Sequence, residues 1–280
     1  MYKKILKKFL WYFIGNIRYQ RFFELLHEFS LKGMYIGYGN AFTQSGEKNV
    51  LKYILKRFNI NNDPIIVFDV GANDGEHANY LMTNFEHKFV IYSFEPSIDA
   101  FDKLKSNVGQ YKNSKIFNFG MGDKNEILPL WSPTPGSYLA SLLKLDFSVR
   151  YKDKKIVTSK NVEIKKLDTF CAENNINNIH FLKIDVEGYE MQVLQGAKRM
   201  IDSNSIYSIQ FEFGGIANLN KCIFLKYFYD LLSDQYNLFR VVRNGLYPIR
   251  KYDLKLEQFD CTNFFAELKD QHKFNTSVYN

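Results

Sequence analysis

Cysteine is scarce: Cys171, Cys222 and Cys261 are the three in 280 residues, and they lie far apart. Spaced this way they form no metal-ligand or redox pattern, and they suit a reducing compartment such as the cytoplasm. No His/Cys cluster argues for zinc. The apolar run near the start, Phe9 to Ile14, is too short to span a bilayer. It is no signal peptide either, because no small-x-small site follows it and charge resumes at Arg18. Extreme charge is also missing: 37 basic against 30 acidic residues leave a net charge of +7. That balance does not by itself imply nucleic acid, although it suits a substrate carrying phosphate.

What is present is enough apolar material for a core. Aromatics make up 17% of the chain and charged residues 24%. The length suits one large α/β domain with extensions. Residues 1–32 differ from the rest, since Lys3, Lys4, Lys7, Lys8, Arg18 and Arg21 all precede the first acid, Glu24. A basic amphipathic helix packed on the domain or on a second subunit is one reading; contact with an anionic membrane surface is the other. The expected division is a basic helical extension over 1–45 and a catalytic domain over 46–280. Ser45-Gly46-Glu47 opens a helical pattern from Lys48 to Phe58.

The organising stretch is Ile65-Ile66-Val67-Phe68-Asp69-Val70-Gly71-Ala72-Asn73-Asp74-Gly75. Its continuous β-branched and apolar run suits a parallel strand buried on both faces. Two glycines then allow a tight turn that a ligand can approach closely. A helix follows from about Glu76 to Phe85, then a second strand from Phe89 to Phe94 that ends in Glu95-Pro96. Strand, glycine turn, helix, strand is a nucleotide-binding unit, with Glu95 placed to accept from ribose hydroxyls. The turn reads Gly-x-x-x-Gly rather than Gly-x-Gly-x-x-Gly, and Asp69 stands where dinucleotide-binding strands are apolar. A pyrophosphate disfavours that carboxylate, whereas the cationic amino-acid end of S-adenosylmethionine favours it. A third strand, Lys115 to Phe119, leads to a loop Gly120-Met121-Gly122-Asp123, where Met121 can pack on adenine and Asp123 can accept from its amino group.

Residues 126–160 interrupt the alternation and read as an inserted hairpin and lid. Trp131 and Tyr138 are candidate sugar-stacking platforms, and a basic stretch runs from Arg150 to Lys155. A second loaded segment follows, His180-Phe181-Leu182-Lys183-Ile184-Asp185-Val186-Glu187-Gly188-Tyr189-Glu190. Its apolar strand delivers Asp185 to the cleft, with Glu187 in the turn and Glu190 opening the next helix. Three carboxylates this close repel one another unless cations or protons intervene. Ser205 to Phe213 is a further strand carrying Glu212, which approaches Asp185 if the two strands are neighbours. The last strands, near Leu238 to Val242 and Asn263 to Leu268, form an antiparallel edge.

VFDVGANDG, SFEPS, FGMGDKNE, VEIKKLDTF, FLKIDVEGYEMQVLQGA and SIQFEF occur in this order. Together they resemble the FkbM family of S-adenosylmethionine-dependent methyltransferases, over roughly Gly46 to Gly215. The resemblance implies a Rossmann-like class I fold, a mostly parallel seven-stranded sheet with helices on both faces and an antiparallel edge. It implies O-methylation of a sugar hydroxyl, on a sugar or sugar nucleotide, with surface polysaccharide synthesis as a setting. The cofactor residues expected from it are Asp69, Gly71, Ala72, Asn73, Gly75, Glu95, Pro96, Met121, Gly122 and Asp123. The family usually has a small residue where Met121 stands.

Methyl transfer to a hydroxyl needs in-line alignment and removal of a proton, by a base or by a metal that lowers its pKa. Asp185 is the first candidate for base or metal ligand. Glu187 and Glu212 are the next oxygen ligands for a hard cation such as Mg2+. His77 and His180 read as structural or cofactor-side. A nicotinamide-dependent oxidoreductase would use Glu95 equally well, but Asp69 and the missing middle glycine count against it. A non-catalytic glycan-binding protein on the same fold is a third reading.

Overall fold

Ile65–Val70 (β1) lies inside a sheet, and its neighbours explain its composition. The computed structural model describes residues 11, 13–39, 41–58, 64–85, 89–145, 158–215, 218 and 221–269. The lysines at positions 3, 4, 7 and 8 and the basic stretch Arg150 to Lys155 lie outside the described residues.

Among the described residues the 3-10 turn Ile17–Tyr19 and the α-helices Gln20–Gly33 (α1) and Glu47–Phe58 (α2) precede β1. Then come Glu76–Asn84 (α3), Phe89–Phe94 (β2), Ile98–Val108 (α4), Ser114–Phe117 (β3), Gly120–Gly122 (β4), Glu126–Ser132 (β5) and Thr158–Lys166 (β6). Leu167–Glu173 (α5), Phe181–Ile184 (β7), Glu190–Gly196 (α6), Lys198–Asp202 (α7) and Ser208–Phe213 (β8) complete the alternating part. Leu225–Leu232 (α8), Tyr236–Val242 (β9), Gly245–Ile249 (β10) and Thr262–Leu268 (β11) close the described chain.

The main sheet has eight strands in the order β10-β9-β11-β8-β7-β1-β2-β3. Strands β3, β2, β1, β7 and β8 are mutually parallel, and β11 returns antiparallel between β8 and β9. This is the doubly wound, Rossmann-like α/β arrangement. It has one strand more than the seven expected. The addition, β10, joins β9 through the two-residue turn Arg243-Asn244. Pro248 inside β10 hid it from sequence reasoning, yet an outermost strand tolerates proline.

Side chains alternate across the sheet and fill two cores. Phe68, Phe94, Leu182, Ile184 and Phe211 pack with Phe170, Leu194 and Phe228 of α5, α6 and α8. Val67, Ile91, Phe181, Phe239 and Phe265 pack on the other face with Leu51, Ile54, Leu81 and Leu104 of α2, α3 and α4. Helices thus cover both faces, which is why β1 is apolar at nearly every position.

A smaller sheet, β4-β6-β5, corrects the expectation of a strand to Phe119 followed by a loop. Gly120–Gly122 is itself a strand, parallel to Ile164–Lys166. Glycine is needed there, because a Cβ at Gly120 or Gly122 would lie 2.8 Å from an Ile164 methyl group. The inserted hairpin is present as β5 against β6, and Ser141 pairs back onto Trp131.

In α1 no residue is buried; Phe22 is 60% and Phe29 73% exposed. From Ile36 onward the chain packs on the domain, with Gly39 N–H donating to the Cys261 carbonyl at 2.9 Å. Among the described residues no helix is long and apolar enough to cross a membrane.

Candidate active site

The carboxyl ends of β1, β2, β7 and β8 meet at one cleft, where a doubly wound sheet places its ligands. The turn after β1 is anchored on β2, since Gly71 and Ala72 N–H groups donate to the Phe94 carbonyl at 3.0 and 3.1 Å. On the other side Asp185 N–H donates to the Val70 carbonyl at 2.9 Å. Gly71 sits at φ +82°, and a Cβ there would lie 1.8 Å from the Asp185 carbonyl oxygen. Any side chain would push the two strand ends apart.

Glu95 is 7% exposed and organised by that turn. One of its oxygens accepts from Asn73 N–H and the other from Ser97 N–H, both at 2.8 Å. Burial pushes its carboxyl up to about 7, against the pull of those two backbone bonds. Gly71, Asn73, Glu95, Pro96 and Met121 line a small cavity there, closed by Tyr138 from the insertion. A carboxylate held by its backbone beside apolar walls fits the ribose and base of a nucleoside cofactor.

A larger cavity of about 490 Å³ adjoins it. Gly71, Ala72 and Asn73 line it on the β1 side, and Lys183, Asp185, Glu187 and Glu212 on the β7 and β8 side. Alternation explains the grouping. Lys183 is in register with Asp69, and Asp185, two residues on, shares its face. Ile184 is in register with Phe211, so Asp185 and Glu212 follow as the next pair.

Several of the expected cofactor residues lie outside the two cavities. Asp69 is fully buried and lines neither cavity; Lys183 Nζ lies 3.4 Å from one of its oxygens and His77 Nδ1 3.6 Å from the other. Burial opposes its ionisation, but Lys183 and His77 hold it well below the usual carboxylate range. It anchors Lys183 behind the two cavities. Gly75 backs onto Leu104 of α4, and Gly122 onto Tyr189. Asp123 acts on Tyr189 too, helping burial to push the phenol up to about 12. Neither Gly75, Gly122 nor Asp123 lines the two cavities.

The proposed cation ligands do not fit a metal centre. Asp185 Oδ2 is 3.2 Å from Lys183 Nζ, so an ammonium already sits beside it. Glu212 is pushed up to about 8, first by burial and then by Asp185 and Glu190, so it holds a proton at neutral pH. Glu187 has φ +53°, and its carbonyl accepts from Ser141 Oγ at 2.8 Å. Among the described residues no group of three His, Cys, Asp or Glu side chains is placed to hold a metal ion. Glu190, at the start of α6, orders the turn that carries Glu187, accepting from Gly188 N–H at 2.9 Å and Val186 N–H at 3.2 Å.

Three lining residues escaped sequence reasoning. Lys183 is only 5% exposed, and Asp185, Asp69 and Glu47 raise its pKa against the effect of burial. Its signal was available: a lysine in a buried strand two residues before an acid. Glu47, read as a helix-dipole acid, is 4% exposed and accepts from Ser45 Oγ at 2.8 Å and Asn263 Nδ2 at 3.2 Å. Asn218 had no local signal. His180 is structural, its Nδ1 accepting from Ile66 N–H at 3.0 Å. Tyr138 is 60% exposed and lines both cavities. Trp131 lies under the Lys144 ammonium, 5.2 Å away, and lines neither.

Comparison with known proteins follows this geometry. A family model described as the methyltransferase FkbM domain matches residues 69–240, more than half of the chain. A protein named 2-O-methyltransferase NoeI from Sinorhizobium fredii is 27% identical over 147 residues, covering 50% of this chain and 59% of its own. Hexuronic acid methyltransferase AglP from Haloferax volcanii is 24% identical over 172 residues, 60% of this chain and 64% of its own. The chain thus spans about three fifths of the length of these curated relatives. A crystal structure of a methyltransferase FkbM from Methylobacillus flagellatus KT has 15% identity and a TM-score of 0.44, covering 73% of this chain and 44% of that one.

Proposed function

Since the chain belongs to the FkbM methyltransferase family, we propose that it transfers a methyl group from S-adenosylmethionine to a sugar hydroxyl. The observation that carries this reading is that Glu95 lines a small cavity sharing Gly71, Asn73 and Asp185 with the adjoining cavity of about 490 Å³. The relatives named for 2-O-methyl transfer and for a hexuronic acid support a carbohydrate acceptor. The chain's richness in Lys, Asn, Ile and Phe suits an AT-rich bacterial genome, with surface polysaccharide synthesis at the cytoplasmic face as the setting.

Bound S-adenosylmethionine would supply an electrophilic methyl on a sulfonium sulfur. Glu95 would accept from its ribose hydroxyls, and the Gly71–Asn73 backbone and Met121 would wall the nucleoside. Asp185 would take the proton of the acceptor hydroxyl as the new carbon–oxygen bond forms and the carbon–sulfur bond breaks. Lys183 holds one Asp185 oxygen at 3.2 Å and so fixes the carboxylate's orientation. The charge of the Asp185 carboxylate disfavours an anion in the cavity and favours the sulfonium cation.

Isothermal titration with S-adenosylhomocysteine and with NAD tests the cofactor. Binding of the first alone is expected; binding of NAD alone would move the chain to hydride chemistry. Incubation with labelled S-adenosylmethionine and a panel of sugars and sugar nucleotides then tests the acceptor. Label on an amine or a protein instead of a sugar oxygen would reject the reading.

A further inference from the structure

Asn218 is 2% exposed and lines the main cavity. Its Oδ1 accepts from Gly214 N–H at 3.0 Å, which fixes the side chain. Its Nδ2 is buried and has no hydrogen-bond partner among the described residues. A buried amide donor is rarely left unsatisfied, because the loss costs as much as a hydrogen bond. An oriented, unsatisfied donor on a cavity wall is the mark of a group that meets a ligand.

Its neighbours say which ligand. Glu212 at the end of β8 is hydrogen-bonded with Cys261 and is protonated near neutral pH. Glu47 is likewise raised, chiefly by burial. Lys183 is the lysine on this wall, and its ammonium already faces Asp69 at 3.4 Å and Asp185 at 3.2 Å. The wall therefore offers the Asn218 amide and the Glu212 carboxyl as neutral donors beside the Asp185 carboxylate, whose charge already raises Glu212. A second anion in the same space would be repelled by Asp185 in the same way.

Position separates this wall from the cofactor. Glu95 ends β2 on one side of β1, whereas β8 and β11 lie beyond β7 on the other. At roughly 4.8 Å per strand, β8 is about 10 Å from β1 and β11 about 15 Å, the reach of one sugar unit past Asp185.

We infer that the cavity wall over the ends of β8 and β11 is the acceptor subsite. It takes a sugar unit bearing neither carboxylate nor phosphate, one hydroxyl accepting from Asn218 Nδ2. The inference rests on the sugar methyltransferase reading above and narrows it. A relative named for a hexuronic acid makes the distinction a sharp one.

The test uses the full chain with S-adenosylmethionine and matched acceptors, a methyl hexoside and the methyl uronoside that differs only at C6. The hexoside should show a kcat/KM at least about tenfold higher, the scale of one hydrogen bond lost to a repelled group. Asn218→Asp keeps the acceptor for Gly214 and removes the donor. It should raise the hexoside KM by about tenfold with little change in S-adenosylhomocysteine affinity. Above about pH 8, where Glu212 ionises, Glu212→Gln, which cannot, should narrow the gap between the two acceptors. Equal or better use of the uronoside, or an unchanged KM in folded Asn218→Asp, would overturn the assignment. If neither acceptor is methylated, the methyl-transfer reading fails for both. Saturation-transfer NMR on the S-adenosylhomocysteine complex then decides the subsite: hexoside binding that Asn218→Asp weakens upholds it, and binding of neither sugar overturns it.

Discussion

At the β2 end of the cleft Glu95 accepts from two backbone N–H groups, while at the β7 and β8 ends Asp185 faces an ammonium and acts on Glu212. The first carboxylate is held by the backbone of two turns, after β1 and after β2, and needs no distant side chain. The second pair depends on Lys183, Asp69, Glu47 and Cys261, from five separate stretches of chain counting its own. A motif-built half tolerates change elsewhere in the fold. A half assembled from side chains of several strands is coupled, so one substitution alters the charge state of the others.

The largest expected effect tests that coupling. Lys183→Met leaves Asp69 buried without its cation, which should cost about 3–5 kcal/mol of stability. Chemical denaturation measures it, and a loss below 1 kcal/mol would show that Asp69 does not rely on Lys183. Next, Asp185→Asn should lower turnover by roughly 100-fold or more with cofactor affinity little changed. Near-normal single-turnover rates would pass the base role to another group.

Glu95→Ala tests the self-contained half. It should weaken S-adenosylmethionine binding by about 2 kcal/mol, the scale of hydrogen bonds to a charged group. Titration calorimetry showing unchanged affinity would remove the ribose contact.

A smaller effect separates the halves by pH. Glu95 and Glu190 are raised to about 7 and Glu212 to about 8, all above the ordinary 4.5. The folded chain thus keeps protons that the unfolded chain releases between those values. The stability these three groups contribute is full below about pH 4.5 and is lost as pH rises towards 8. Glu212→Gln removes one such group, so its Tm at pH 8 should exceed the parent's by about 2–4 °C. Near pH 4.5 the advantage should vanish; a gain independent of pH would mean that charge is not its source. Smallest of all, deletion of residues 1–30 should change stability and cofactor affinity by less than about 0.5 kcal/mol, because α1 buries no side chain. Loss of affinity in the folded truncation would bring the extension into the site.

Sequence reasoning read the fold well where periodicity and turn chemistry were local. β1, β2 and α5 stand where the pattern placed them, and the glycine turn between β1 and α3 binds back to β2 through its own backbone. It failed where a strand was short or broke a local rule. The three-residue β4 read as a loop because glycine is a turn residue, and β10 was hidden by its proline. Within the site, Glu95 and Asp185 were legible from their places at strand ends. Asp69 was legible as chemistry, but its pairing was not: strand period 2 turned it into the same layer as Lys183.

The sequence by itself determined the α/β alternation, the glycine turn and the two strand-end carboxylates, since each follows from residues within one turn or strand. Only the tertiary structure decided which acids stay ionised. That depends on burial and on charges brought within a few ångströms by strand order, and strand order is set by long-range pairing. Placing β7 between β1 and β8 puts Lys183 beside Asp69 and Asp185, and leaves Glu212 to hold a proton. The same order brings Asn218 and Glu47 to one wall, although 171 positions of chain separate them (218 − 47).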